Sequence, residues 1–282
     1  MLTNCAMRSL ARALPLYAVV STLMGMAPLT SHAATNATTP PDVLLRVPSR
    51  SLDVSTGYQQ LTGGYSSWRQ LTIHGIYEKD QHVFQGELSN KREFNTSGNF
   101  LGLTDTYTIN DDWFTSGSLG IGDGAFYLPR VRFDGFLYRK WLPKKNFVSS
   151  LGVGYYNAPD GHIDRSLALG GAYYFDQPWV VEGGVRFNRS NPGGVNTHQQ
   201  FIATSFTPDQ QNSFSARFAW GSEGYVPLAV KTSIVGFNSK DASVSWRHRL
   251  DKHWGFSLSA NRYQNPSYSR SGVDVGISHQ FD

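Results

Sequence analysis

Charged residues fall at even spacing along several stretches of this chain: Glu87 and Lys91; Arg130, Arg132 and Asp134; Asp164; Glu182 and Arg186; Arg217; Arg247 and Arg249; and Asp274. In an extended segment side chains alternate between two faces, so each group would project from one side of a strand. Two kinds of chemistry suit such a wall. Arginines lining a water-filled pore would draw anionic or polyhydroxylated solutes, whereas charges of both signs in a narrow lumen would pair and brace it. Basic residues outnumber acids in the set, so some positive potential is expected to remain. Anions, or sugars bearing carboxylates, would then be favoured.

Catalysis needs a nucleophile, a base and an orienting group within reach of one another. His162, Asp164 and Ser166 lie two apart at the start of one strand and could be drawn as a membrane lipid hydrolase. Loop-edge polarity is the commoner use of such residues, and no second strand supplies a convergent partner. The chain is therefore read as a non-enzyme. His248 and His279 fall on the outward parity near strand ends, a headgroup-level placement. No His or Cys spacing suits a metal, and no glycine-rich loop precedes a helix, so neither metal nor cofactor is expected.

The elements that would position these residues are strands. Charged residues make up 16% of the sequence and aromatics 13%, with 28 glycines; soluble domains carry about 25% charge. Leu119 and Ile121, Leu151 and Val153, Leu167 and Leu169, Val181, Val185 and Phe187, Phe214 and Phe218, and Phe256 and Leu258 alternate with serine, glycine and charge. Apolar residues outside and charge inside invert a soluble barrel, and that is the pattern of a transmembrane one. The closing stretch Gly272 to Phe281 sets Val273, Val275, Ile277 and Phe281 on one face, as an assembly-competent last strand would.

Short polar breaks at 78–80, 110–112, 143–145, 176–178, 208–210 and 251–253 alternate with longer ones at 62–67, 95–98, 124–129, 158–161, 190–194, 221–236 and 265–269. Alternating short and long connections predict an antiparallel up-and-down barrel of about fourteen strands with both termini periplasmic. The break at 221–236 leaves roughly twelve or sixteen strands as alternatives. Aromatics begin the strands that follow short breaks, at Trp113, Phe147, Trp179 and Trp254. With Trp68, Trp141 and Trp220 they predict two aromatic girdles, one at each membrane interface.

Residues 1–33 have the form of a secretory signal, with Arg8 and Arg12 before an apolar run and Ser31-His32-Ala33 at the cleavage site. Residues 34–50, rich in Ala, Thr and Pro, predict a flexible periplasmic lead-in, and 51–282 the barrel. Cys5 lies in the segment to be removed, so the mature chain would depend on no disulfide. Without Arg8 and Arg12 the 25 basic residues become 23 against 21 acids. That near-neutral balance gives no footprint for nucleic acid.

The stretch Tyr58-Gln-Gln-Leu61-Thr-Gly-Gly-Tyr65-Ser-Ser-Trp68 resembles the first hairpin of the YaiO family of outer-membrane β-barrels, and the resemblance continues through Lys91-Arg92-Glu93-Phe94, the Asp-Trp turn starts and the closing strand. Asp282 after the terminal Phe281, and His279 where Tyr is more usual, depart from the pattern. The resemblance implies residence in the outer membrane, insertion by the barrel-assembly machinery, contact with outer-membrane lipid and no assigned catalytic residue. Related barrels occur attached to helical-repeat modules of exopolysaccharide secretion systems. With no such repeat before this barrel, a periplasmic scaffold of polysaccharide export would be a separate chain. The expected function is a channel or export pore for polar or anionic solutes, with a non-conducting structural or surface-interaction barrel as the alternative.

Overall fold

A computed structural model describes residues 50–230 and 232–281. The signal segment, the lead-in as far as residue 49 and Asp282 lie outside them. Fourteen antiparallel strands follow in chain order: β1 Arg50–Leu61, β2 Trp68–Lys79, β3 His82–Glu93, β4 Thr96–Thr108, β5 Trp113–Gly122, β6 Val131–Trp141, β7 Phe147–Asn157, β8 Ile163–Tyr174, β9 Trp179–Asn191, β10 Val195–Phe206, β11 Asn212–Ala229, β12 Thr232–Arg249, β13 Trp254–Gln264 and β14 Ser269–Gln280. Each pairs with its sequence neighbours, and β1 closes on β14 from Ser51↔Gln280 to Leu61↔Arg270. Closure leaves no unpaired edge, the condition a sheet must meet to span lipid.

Alternation along the strands sorts the two faces. Leu103, Val153, Ile202 and Val244 are each more than half exposed, and Val273, Val275, Ile277 and Phe281 continue the same outer surface. An apolar belt of this size requires lipid around it. The inner face holds Asp134, Asp164, Glu182, Arg186, Asp241 and Arg270, all buried. On that face Gly152 leaves room for a neighbour: the Phe136 ring lies over it, where a Cβ would overlap the ring.

The short-turn end carries Arg50 and Gln280, hence both ends of the barrel domain. Two of its turns, at 110–112 and 251–253, share one device. Asn110 Oδ1 accepts N–H bonds from Asp112 (2.9 Å) and Trp113 (3.0 Å), and Asp251 Oδ1 accepts them from His253 (2.7 Å) and Trp254 (2.8 Å). The Asx turn thus sets the first residue of the rising strand, a girdle tryptophan. Trp141, Trp179, Trp220 and Trp254 face outward and exposed, and Trp113 outward and half-buried. The Arg139 guanidinium lies 3.7 Å from the Trp141 ring centre and 5.1 Å from that of Trp113.

The N–H groups of His253 and then Trp254 hold the Asp251 carboxyl below the usual carboxylate range. A depressed folded pKa stabilises above the unfolded pKa and loses that contribution as pH falls through the folded value. Asp251→Ala should therefore lower the unfolding temperature at pH 7, and the gap from the parent should close as the pH falls through and below the ordinary carboxylate range. Thermal unfolding of the two proteins across pH checks this.

Two of the connections at the other end differ from the longer breaks expected at 95–98 and 221–236. Residues 94–95 form a two-residue turn in which Phe94 (φ 49°) and Asn95 (φ 63°) are both left-handed, the geometry that matches strand twist. Most of 221–236 is strand: β11 and β12 stay paired through Tyr225↔Val235, Val226↔Ile234 and, past an irregularity, Ala229↔Thr232. The count stays at fourteen because this hairpin extends existing strands.

Candidate functional site

The lumen wall is crossed by polar contacts that reach over intervening strands. Arg186 on β9 donates to Ser166 Oγ on β8 (2.5 Å) and to Asp134 Oδ1 on β6 (3.2 Å), passing over Gly154 of β7. A Cβ at Gly154 would overlap that guanidinium. Arg132 Nε binds Asp134 Oδ2 at 2.6 Å, so one carboxylate serves two arginines. At the barrel seam, Asp274 on β14 reaches across Gly57 of β1 to Gln70 Nε2 on β2 (2.7 Å), and its second oxygen accepts from Asn261 Nδ2 on β13 (3.2 Å). Absence of a side chain at Gly57 and Gly154 is what makes both reaches feasible.

Arg217 lies 3.7 Å from Asp241 and over the Phe201 ring at 5.1 Å. Arg247 and Arg249 stand half-buried at the lower rim, where Arg247 interacts with Asp53. Glu182 is buried opposite Arg217. Asp164 is buried, with His162 Nε2 3.9 Å from its carboxylate, while Asn188 Nδ2 donates to Ser190 Oγ beside it at 3.0 Å. Arg130, expected on the wall, is instead exposed in the β5–β6 loop with its guanidinium on Pro159 O at 2.9 Å, because β6 begins one residue later. Asp53, Asp241, Glu93 and Glu223 were missing from the expected set. Asp241 and Glu223 sit in or beside the stretch that had looked like a loop. Simple parity with Val244 would have turned Asp241 inward.

The upper girdle needs a larger correction. Trp68 is 2% exposed and points into the barrel, since Leu71 and Ile73 take the outward parity of β2. It belongs to an aromatic cap over the outer mouth. Trp68 meets Phe94 (5.1 Å) and Tyr268 (5.9 Å); Tyr65 meets the same two rings; Phe94 meets Phe126 of the β5–β6 loop at 5.8 Å. Tyr127 Oη, fully buried, lies 2.7 Å from Lys91 O and 3.0 Å from Thr96 O, fastening that loop inward.

Beneath the cap, the Arg270 guanidinium is held between Trp68 (5.0 Å) and Tyr263 (5.1 Å), and Tyr263 Oη donates to Glu223 Oε1 at 2.8 Å. The β11–β12 hairpin leans across the mouth. Leu228 packs on the cluster of Leu61, Trp68, Tyr263 and Tyr268, while Tyr225 stacks on His162 of the β7–β8 loop at 4.9 Å and donates to Pro192 O at 2.8 Å. One hairpin therefore touches both sides of the opening. His162 is turned to Asp160 (2.6 Å) and stands 3.9 Å from Asp164, and Ser166 Oγ is taken by Arg186. Ser166 is thus engaged by Arg186, while His162 stands between Asp160 and Asp164.

A search of curated proteins returns no match for the chain. Among solved structures it is similar to the CymD monoaromatic hydrocarbon channel, with 8% identity over 94% of each chain and a TM-score of 0.60. It also resembles a TodX monoaromatic hydrocarbon channel mutant, with 11% identity over 86% of this chain and 93% of that one and a TM-score of 0.52. A structure titled bacterial polysaccharide outer membrane secretin aligns at 9% identity over 84% and 100%, with a TM-score of 0.50. At such identities the likeness is one of fold. The YaiO membrane beta barrel domain model matches residues 49–226, and with the closed fourteen-strand wall and its apolar belt this places the chain in the YaiO family of outer-membrane β-barrels.

Proposed function

We propose that this barrel is a pore for polar solutes whose outer mouth is shut by the aromatic cap and opens when the β11–β12 hairpin lifts. The observation that carries the reading is the inner wall between the ion pairs. The hydroxyls of Thr72, Ser89, Thr106 and Ser150 face inward, buried, without a protein partner. Such hydroxyls would gain partners from water once the cap opens, so the wall suits a passage that hydrates on opening. Because the mid-lumen arginines are paired, the wall favours polar solutes with a weaker preference for anions than their number suggests.

The barrel has no catalytic role in this reading. Export after signal-directed secretion, insertion by the assembly machinery and delivery of a polysaccharide by a separate periplasmic scaffold complete the proposal through the family resemblance. The spanning ion pairs and the cap favour a second reading, a non-conducting structural barrel. Liposome swelling separates the two: proteoliposomes should swell in a small neutral sugar faster than empty ones. If neither the parent nor a form with a shortened β11–β12 hairpin swells, the pore is overturned.

A further inference from the structure

Lipid-facing arginines occur in directly opposed pairs near the outer mouth. Arg165 on β8 faces Arg189 on β9, and Arg69 on β2 faces Arg92 on β3, all exposed. Residues opposed in this way have Cα atoms about 4.5–5.5 Å apart, and like charges there repel. No Asp or Glu takes an outward position on β7 to β10. Asp160, in the adjoining loop, is engaged by His162 at 2.6 Å. The repulsion at Arg165 and Arg189 is therefore uncompensated by the protein.

A groove of about 470 Å³ opens between β8, β9 and β10 at this point, lined by Arg165, Leu167, Phe187, Arg189, Asn196 and His198. Its two ends differ. Leu167 and Phe187 are exposed and continue into the apolar belt, with His198 paired opposite Phe187; the guanidiniums and Asn196, paired with Arg189, lie two residues further toward the mouth, and Tyr155 on β7 pairs with Arg165. The start of β1, the end of β14 and the short turns are at the opposite end, so this rim meets the outer leaflet.

We propose that the groove binds the headgroup of a phosphorylated outer-leaflet glycolipid, its phosphate bridging Arg165 and Arg189 and its acyl chains lying along Leu167 and Phe187. Planar guanidiniums match phosphate oxygens in pairs, and an anion between them turns the repulsion into attraction. The apolar floor selects a lipid over a free phosphate. Binding here does not depend on whether the lumen conducts.

The test is titration of the folded barrel in detergent micelles with bis-phosphorylated lipid A, dephosphorylated lipid A and inorganic phosphate, read by native mass spectrometry. Arg165→Gln/Arg189→Gln should bind lipid A roughly tenfold or more weakly than the parent, with Arg189→Gln alone intermediate. Lys240→Gln/Arg262→Gln, which removes equal outward charge from β12 and β13, should leave binding unchanged. Heat-modifiable migration shows that each variant is folded. Equal loss in the charge-matched control, unchanged affinity in the double variant, equal binding of dephosphorylated lipid, or retention of inorganic phosphate as tight as that of lipid A would each overturn the site.

Discussion

Asp134→Ala is expected to destabilise the barrel by about 3–5 kcal/mol, the cost of stranding buried partners of a broken ion pair. Asp134 is 4% exposed and carries both Arg132 and Arg186. Its removal leaves two guanidiniums facing each other, with Ser166 the remaining partner of Arg186 Nη2. The contacts span β6 to β9, so the loss should appear as cooperative weakening of the whole wall. Asp134→Leu combined with Arg132→Met and Arg186→Met should recover much of it, because an apolar replacement of a complete network is often neutral. Urea unfolding in lipid vesicles measures both. A loss under about 1 kcal/mol for the single change would mean that water screens the pair.

The second large effect concerns the cap. Replacing residues 226–234 by Asn-Gly closes the β11–β12 hairpin just beyond the Tyr225↔Val235 pair and deletes Leu228 from the aromatic cluster. The hairpin loses its hold on one side of the mouth while the wall below, paired from Asn212↔His248 to Glu223↔Phe237, is untouched. Burial of an aliphatic side chain such as Leu228 is worth about 1.5–3 kcal/mol when complete, and the mouth should then open roughly tenfold more often for each 1.4 kcal/mol removed. Planar-bilayer recordings should show mean conductance rising by about that factor. Paired arginines predict that the opened pore discriminates only weakly between anions and cations.

Much of the wall was legible in the sequence because a membrane barrel enforces strict alternation. Leu151 and Val153 against Gly152, or Val181 and Val185 against Glu182 and Arg186, admit one parity, and the tight turns announce themselves through Asn110, Asp209 and Asp251. The outer mouth was harder to read. There, aromatics mark a level but not a face: Trp68 and Trp220 both lie near strand ends, yet Trp68 turns inward and Trp220 outward. Leu71 and Ile73 held the information that would have settled Trp68.

Pairing partners were hidden for a different reason. Arg270 joins Trp68 only when β14 closes on β1 and β2, a contact of the complete ring. Asp134 and Arg186 lie on strands three apart, and the bare backbone of Gly154 allows their meeting. Neither the closure contact nor the reach over a glycine has a signature in the spacing of residues.

Cysteine accessibility tests the hydrated, capped lumen most directly. Ser150 faces the lumen and Leu151, its neighbour on β7, is 48% exposed on the lipid side. A cysteine at 150, treated in whole membranes with an impermeant charged thiol reagent added from outside, should react slowly with the hairpin intact and rapidly once 226–234 are replaced, while a cysteine at 151 stays unreactive in both. A cysteine at 150 that remains unreactive in the shortened barrel, or one at 151 that reacts in its place, would contradict the account.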